Sequence, residues 1–523
     1  MGLNFNSFRR MTSYLVPVFP HFLSANELTR WASAAGTVEH GSLAVTWAEP
    51  IIGPPMDVAP YRGLMYSNKA PALTVLSVPP YLATRAILGP PTRANLRWSL
   101  YLVRVLTVTL AGVVLGLLLY RSCHQDAFAL ATLLFGTSVF LYGALYFSHV
   151  LAAACLYGGY VLVLRRPQQV ISVRRHLLAG AVAMVAATAD YQVALGVVAM
   201  AGALMFLPGG LRRTMLLAAG GAPIAALLAV YNYALFGSPF ALSVMHGAFP
   251  NLANERASGV AGFSWPSLSQ LAALLASPSR GLLFYSPVLV LGLVALIPRR
   301  REPAAWFRLS FVVALVLAMA GYQYSHGGWG MGSRYLIAAL PFLVEAAHDR
   351  GVGAGFLASA CLAYSVVLCV TPALSFPFAP EFIPFPHASL IRPFLAAGFA
   401  TPNWGYPLIP GVVSLVPVVA AAGAALALGC ATGWRSVIGG LAGLLLALAM
   451  VAAPVRDTAS EASFRALVLD TSFSPADRLG SLMRASADPT ERAQLQRLRE
   501  TVAATRAVGP DDWPYRRASG PSR

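Results

Sequence analysis

Long apolar runs alternate along this chain with short arginine-bearing breaks and a few long polar connections. A helix needs roughly 20 apolar residues to cross a bilayer. Runs of that order cover residues 98–120, 127–147, 150–164, 215–235, 281–297, 307–321, 336–347, 352–370, 412–430 and 437–455, and a shorter one with two prolines covers 11–23. The stretch 177–207 is too long for one crossing and too short for two full ones, and Asp190 interrupts it. Arg174 and Arg175 precede it and Arg212 and Arg213 follow it. Arginines gather on the cytoplasmic side of membrane proteins, so both pairs belong on one side and the chain must turn at Asp190. The pattern therefore predicts an all-α polytopic protein of about 13 transmembrane helices. The arginine-rich short loops fall inside, and the long connections 24–97, 236–280, 322–334 and 371–411 fall outside. The N-terminus is then inside and the C-terminus outside.

Composition sharpens the class. The chain is 57% hydrophobic and 11% charged, with mean hydropathy +0.64. A soluble domain is nearer a quarter charged, so a cytosolic enzyme or a secreted disulfide scaffold is excluded. Five cysteines show no paired spacing for a disulfide or a zinc site. The net charge of +17 comes from scattered arginine pairs, which orient membrane segments and do not form a nucleic-acid surface. Two units are expected: a transmembrane domain over 1–455, with a first outer loop at 24–97, and a small outer, mostly helical tail over 456–523. In that tail Asp488-Pro489 opens a helical stretch with Leu495, Leu498 and Val502 on one face. No internal repeat is visible.

Two features point to chemistry. Of the 37 basic residues only Lys69 is a lysine, and an ammonium differs from a guanidinium in being a compact point charge. Acids are rare outside the tail, yet Glu27, Glu39, Glu49 and Asp57 share the first outer loop with Lys69. Carboxylates beside a lone lysine at a membrane surface suit an anionic lipid headgroup and a hydroxyl nucleophile. Glu27 also completes Ser24-x-x-Glu27, the spacing of a helix capping box, a role that competes for the same oxygens. Asp57 follows Gly53-Pro54-Pro55-Met56 and fits a turn equally well. Asp190 reads as a turn carboxylate bonded to backbone, and His149 as a helix-end residue able to accept a proton or bind a hydroxyl. Arg334 ends a glycine-rich loop that permits close approach, and Arg280 is similar.

The order Asn26-Glu27-Leu28-Thr29-Arg30-Trp31, Glu39-His40-Gly41, Tyr66-Ser67-Asn68-Lys69-Ala70-Pro71 and Pro79-Pro80-Tyr81 resembles the first outer loop of GT-C glycosyltransferases. The pattern is similar to that of protein O-mannosyltransferases and lipid A aminoarabinose transferases. Tyr231-Asn232-Tyr233, Arg280-Gly281-Leu282-Leu283-Phe284-Tyr285-Ser286-Pro287 and Gly332-Ser333-Arg334-Tyr335 extend the resemblance over roughly residues 23–342. It implies inverting transfer of a sugar from a polyprenyl-phosphate donor to a hydroxyl of a glycan, lipid or protein acceptor, at the outer face of the cytoplasmic membrane. Glu27 or Asp57 is then the catalytic base. Lys69, Arg334 and Arg280 bind the donor phosphate, and Asn26, Tyr66, His149 and Glu39 bind substrate. The lipid-linked sugar is the donor, so no cofactor is required, and no ligand spacing supports a divalent metal. The sequence departs from the family at Asn26, where an Asp is usual, and at Ser148-His149, where an acid is frequent. Two other classes stay open: a transporter or lipid flippase, and a non-catalytic relative that binds the lipid-linked sugar.

Overall fold

The computed structural model describes residues 24–52, 57–92, 95–165, 167, 170–247, 262–325, 327–353, 355–396, 433–455 and 458–469, with scattered residues in 416–427 and 492–496. The expected segments 11–23 and, for the most part, 412–430 lie outside them, as does nearly all of the tail beyond 469.

The chain is mostly helical, and five described helices are long and apolar enough to cross a membrane. The count of about 13 remains the sequence-based expectation. The first outer loop opens with α1 (Ala25–His40), buried from Asn26 to Gly36 and stopped by Gly41 in the left-handed region. A hairpin follows, β1 (Val58–Tyr61) against β2 (Leu64–Ser67), with Val58 opposite Ser67 and Tyr61 opposite Leu64. Its two-residue turn, Arg62-Gly63, has positive φ at both positions, the geometry that matches the twist of the flanking strands. Then α2 (Val78–Leu88), with prolines in its first turn where missing N–H groups cost nothing, packs back on α1. The first long apolar helix is α3 (Trp98–Ser122), which passes through a π-helical turn at 105–109.

Three expected runs are broken. Residues 127–147 form two short helices, Ala127–Leu134 and Val139–Gly143, and Gly136 between them packs where an added Cβ would stand 2.9 Å from both Leu362 and the Thr132 carbonyl. Residues 281–297 split at Ser286-Pro287, since proline has no N–H to continue the helix. Residues 336–347 begin as a 3₁₀ segment, Arg334–Ala339.

The stretch 177–207 turns as expected. It forms α4 (Val173–Ala189) and α5 (Ala194–Met205), joined through Asp190 in extended conformation. The next helix, α6 (Gly210–Phe236), lies parallel to α4. An added Cβ at Gly180 would stand 1.9 Å from the Leu217 carbonyl, and one at Gly220 would stand 2.0 Å from that of Leu177. Gly209 meets Ile171, so both ends of the α4–α5 hairpin lie together, and the two arginine pairs share one end of the bundle. The same device joins α7 (Phe356–Leu374) to α8 (Trp434–Ala452). Gly439 and Gly443, one turn apart, rest on the backbones of Phe356 and Ala360. Apolar side chains gain nothing by leaving lipid, so close backbone approach at small residues does the packing.

At the end carrying the arginine pairs, charges neutralise one another. Arg165 pairs with Glu345 and with Asp349 at 2.7 Å, and Arg308 reaches Asp349 at 2.7 Å and Glu345 at 3.5 Å. His348 meets Asp126 at 2.8 Å. At the other end the helix 459–469 seats Phe464 among Trp329, Phe376 and Phe382, while Arg465 donates to the Ser389 carbonyl. The start of the tail is therefore packed on the bundle.

Candidate functional site

The hairpin register builds the centre of the site. With Val58 opposite Ser67, the residues just outside the strands face one another, and Asn68 N–H donates to the Asp57 carbonyl at 3.1 Å. Lys69 Nζ then lies 3.1 Å from Asp57 Oδ2. Asp57 has φ +58, a left-handed conformation that aspartate tolerates better than most side chains. Burial pushes the Lys69 ammonium down to about 8; Asp57 opposes the shift, and the nearby Arg334 and Arg30 charges add to it. The Lys69 carbonyl accepts from Ser243 Oγ at 3.0 Å, and Ser243 lies 3.4 Å from the Tyr191 hydroxyl.

One turn of α1 places Asn26 and Arg30 on a common face. Arg30 donates to Asn26 Oδ1 at 2.8 Å, the Ala70 carbonyl at 3.1 Å and Ser148 Oγ at 3.1 Å. Asn26 thus positions a buried guanidinium without neutralising it. An aspartate there would form an ion pair; the amide leaves the positive charge available.

Next to Ser148, His149 Nδ1 lies 2.6 Å from Asp190 Oδ2, and Gln192 Nε2 donates to the same oxygen at 3.1 Å. Asp190 does sit at the hairpin tip, but its carboxylate holds a histidine 41 residues away and not the local backbone. The imidazole is walled by Tyr142, Phe147 and Tyr335. Arg334 completes the group, its guanidinium 5.2 Å from the Phe147 ring centre and 5.3 Å from that of Tyr335. Gly327, at φ +72, makes this possible: an added Cβ would stand 2.8 Å from Arg334 Nε.

Asp57, Lys69, Arg334, His149 and Asn26 are therefore brought together, and Arg30 and Asp190 join them. Both had signals in the sequence: Asp190 is an acid within an apolar stretch, and Arg30 lies one helical turn from Asn26. Arg280 is buried nearby, within the electrostatic reach of Arg334 and Glu381. Glu27 faces another way. Its Oε1 accepts the Tyr146 backbone N–H at 2.6 Å, and its buried Oε2 has no hydrogen-bond partner among the described residues. Ser24 is the N-cap of α1 but makes no side-chain cap, and Glu27 bonds across to Tyr146, so the capping box does not form. Burial pushes the Glu27 carboxyl up to about 7, only partly offset by Tyr146 and Arg104. Glu39 lies about 18 Å along α1 from Glu27, at 1.5 Å per residue. There it binds Arg85 at 2.6 Å and Tyr81 at 2.9 Å, tying α2 to α1. Tyr66 packs its ring edge-on against Phe236. Among the described residues no group of three or more His, Cys, Asp or Glu is arranged to hold a metal.

Among known proteins, no family model and no curated protein matches the chain. Among solved structures it is similar to the apo form of an oligosaccharyltransferase from Archaeoglobus fulgidus. The identity is 12% and the TM-score 0.39, over 96% of this chain and 58% of that one. The chain thus spans less than two thirds of that neighbour's length.

Proposed function

We propose that this multi-pass membrane protein transfers a sugar from a polyprenyl-phosphate donor to an acceptor hydroxyl, at the outer face of the cytoplasmic membrane. The observation that carries this reading is the convergence of Lys69, Arg30 and Arg334 on a site with two carboxylates, Asp57 and Asp190. Three cations against two anions leave a surplus of one positive charge. A phosphodiester carries one negative charge, and it gains a second as the bond to the sugar breaks, so the surplus favours the leaving group over the substrate. Phe147 and Tyr335, whose rings flank the Arg334 guanidinium, supply aromatic faces of the kind that pack on a sugar ring. The acceptor is a glycan, lipid or protein hydroxyl.

Native mass spectrometry of the detergent-purified protein tests the reading, with farnesyl phosphate as probe and Lys69→Ala beside wild type. Binding by wild type and its loss in the variant support it. Failure of wild type to bind farnesyl phosphate or its glycosides overturns it and turns attention to transport.

A further inference from the structure

Sugar transfer to a hydroxyl needs a base, and the two candidate bases of the first outer loop, Asp57 and Glu27, are both engaged elsewhere. Asp57 is held at 3.1 Å by Lys69, and Glu27 faces Tyr146 and Arg104 in the interior. A third group is built for the task. We propose that His149, oriented by Asp190, is the base that takes the proton from the acceptor hydroxyl. This rests on the transfer reading above and names the residue at its reacting centre.

The geometry is that of an oriented imidazole. Asp190 Oδ2, 2.6 Å from Nδ1, accepts a hydrogen bond from the N–H of that nitrogen and so leaves the Nε2 lone pair to take a proton. Nε2 has no hydrogen-bond partner among the described residues. The ring is locked by its stack on Phe147 and its edge contacts with Tyr142 and Tyr335, and Gln192 holds the same carboxylate oxygen. Ser148, the preceding residue, accepts a hydrogen bond from Arg30, so the base and the anchor of the cation are consecutive residues. The charged and titratable groups around the imidazole are Asp190, Arg334, Arg30, Tyr142 and Tyr335, with Lys69 beyond the two arginines.

In the step itself the acceptor O–H proton passes to His149 Nε2 as the acceptor oxygen bonds the anomeric carbon. The bond from that carbon to the phosphate oxygen breaks, and its electron pair leaves with the polyprenyl phosphate. His149 becomes an imidazolium stabilised by Asp190 as the phosphate gains its second negative charge. The site gains one positive charge as the leaving group gains one negative charge, so proton transfer and departure assist each other. The attacking oxygen approaches opposite the leaving phosphate, which inverts the centre.

The test is turnover of a panel of farnesyl-phosphate hexoses and pentoses, with water as acceptor, beside donor binding by native mass spectrometry. His149→Gln should lose roughly 10²–10⁴-fold in kcat, the usual contribution of a positioned base, and keep its donor affinity and thermal melt. Asp190→Asn should reduce kcat and move the acid limb of the pH–rate profile to lower pH, because removing the carboxylate makes imidazolium harder to form. A merely structural role would leave that limb in place. If His149→Gln turns over donor at the wild-type rate, or Asp190→Asn leaves the limb unmoved while Asp57→Asn abolishes turnover, the base is not His149. If wild type turns over no donor in the panel and binds none, the transfer reading fails, and this assignment fails with it.

Discussion

The two ends of this helical bundle treat charge in opposite ways. At the end that carries the paired arginines, Arg165, Arg299 and Arg308 are matched by Glu302, Glu345 and Asp349 in one connected network. Arg308 and Glu345 are both almost fully buried, a burial that only mutual neutralisation makes tolerable. At the other end, Arg30, Lys69 and Arg334 outnumber Asp57 and Asp190, the carboxylates that face them. A paired network holds helices together. An unbalanced one costs stability and is retained where a ligand supplies the missing charge.

The sharpest way to break this contrast is at Glu345. Glu345→Ala leaves Arg308 and Arg165 short of a buried partner and should destabilise by about 3–5 kcal/mol. Thermal melts in detergent should show a large drop, while donor affinity of the folded fraction stays unchanged. At the opposite end Lys69→Ala should do the reverse. Losing a charge-assisted contact worth roughly 1.5–3 kcal/mol weakens farnesyl phosphate binding about ten- to a hundredfold, with little change in the melt.

Glu27 offers a pH test of the same asymmetry. Its folded pKa of about 7 exceeds the ordinary 4.5. Between those values the folded chain binds more protons than the unfolded one, so its stability falls as pH rises through the window. Glu27→Gln, which keeps an acceptor for Tyr146, should therefore raise the melting temperature above pH 7 and leave it unchanged near pH 4.5. Lys69 gives the complementary signal. Its ammonium, lowered to about 8, is lost as pH rises, so farnesyl phosphate affinity should fall by up to about fivefold between pH 8 and 9. In Lys69→Arg, whose guanidinium stays charged, calorimetric titration should show no such fall. The smallest effect is expected at Gly327. Gly327→Ala costs about 1–2 kcal/mol for its left-handed backbone and pushes on Arg334 Nε, so both the melt and donor affinity should decline modestly.

The sequence was most legible where a single physical demand dominates. The parity of arginine pairs placed a turn at Asp190, and the chain turns there, because a membrane helix cannot be 31 residues long without overshooting. The isolation of Lys69 and the scarcity of acids pointed to the first outer loop, and Asp57 and Lys69 do meet. The identity of Asp190's partner was not legible, since His149 is 41 residues away and nothing local links them. Helix breaks at Gly136 and Ser286-Pro287 were hidden inside apolar runs, where composition alone reads as continuous. The capping-box spacing at Ser24 and Glu27 left the role of Glu27 open, because a local hydrogen-bond option competes with distant ones, and in the fold the distant Tyr146 N–H takes the carboxylate.

The length of the apolar runs and the scarcity of charge in the sequence determined the class of this protein: a helical, multi-pass membrane chain. Both respond to the bilayer, a solvent that acts on each segment independently. Only the tertiary structure decided which polar groups meet. It joined His149 to Asp190, aimed Arg30 between Ala70 and Ser148, laid Arg334 over Phe147 and turned Glu27 inward. Such pairings depend on the register between helices, which is set by close approaches such as Gly180 on Leu217 and Gly443 on Ala360. No property of a segment taken alone encodes that register.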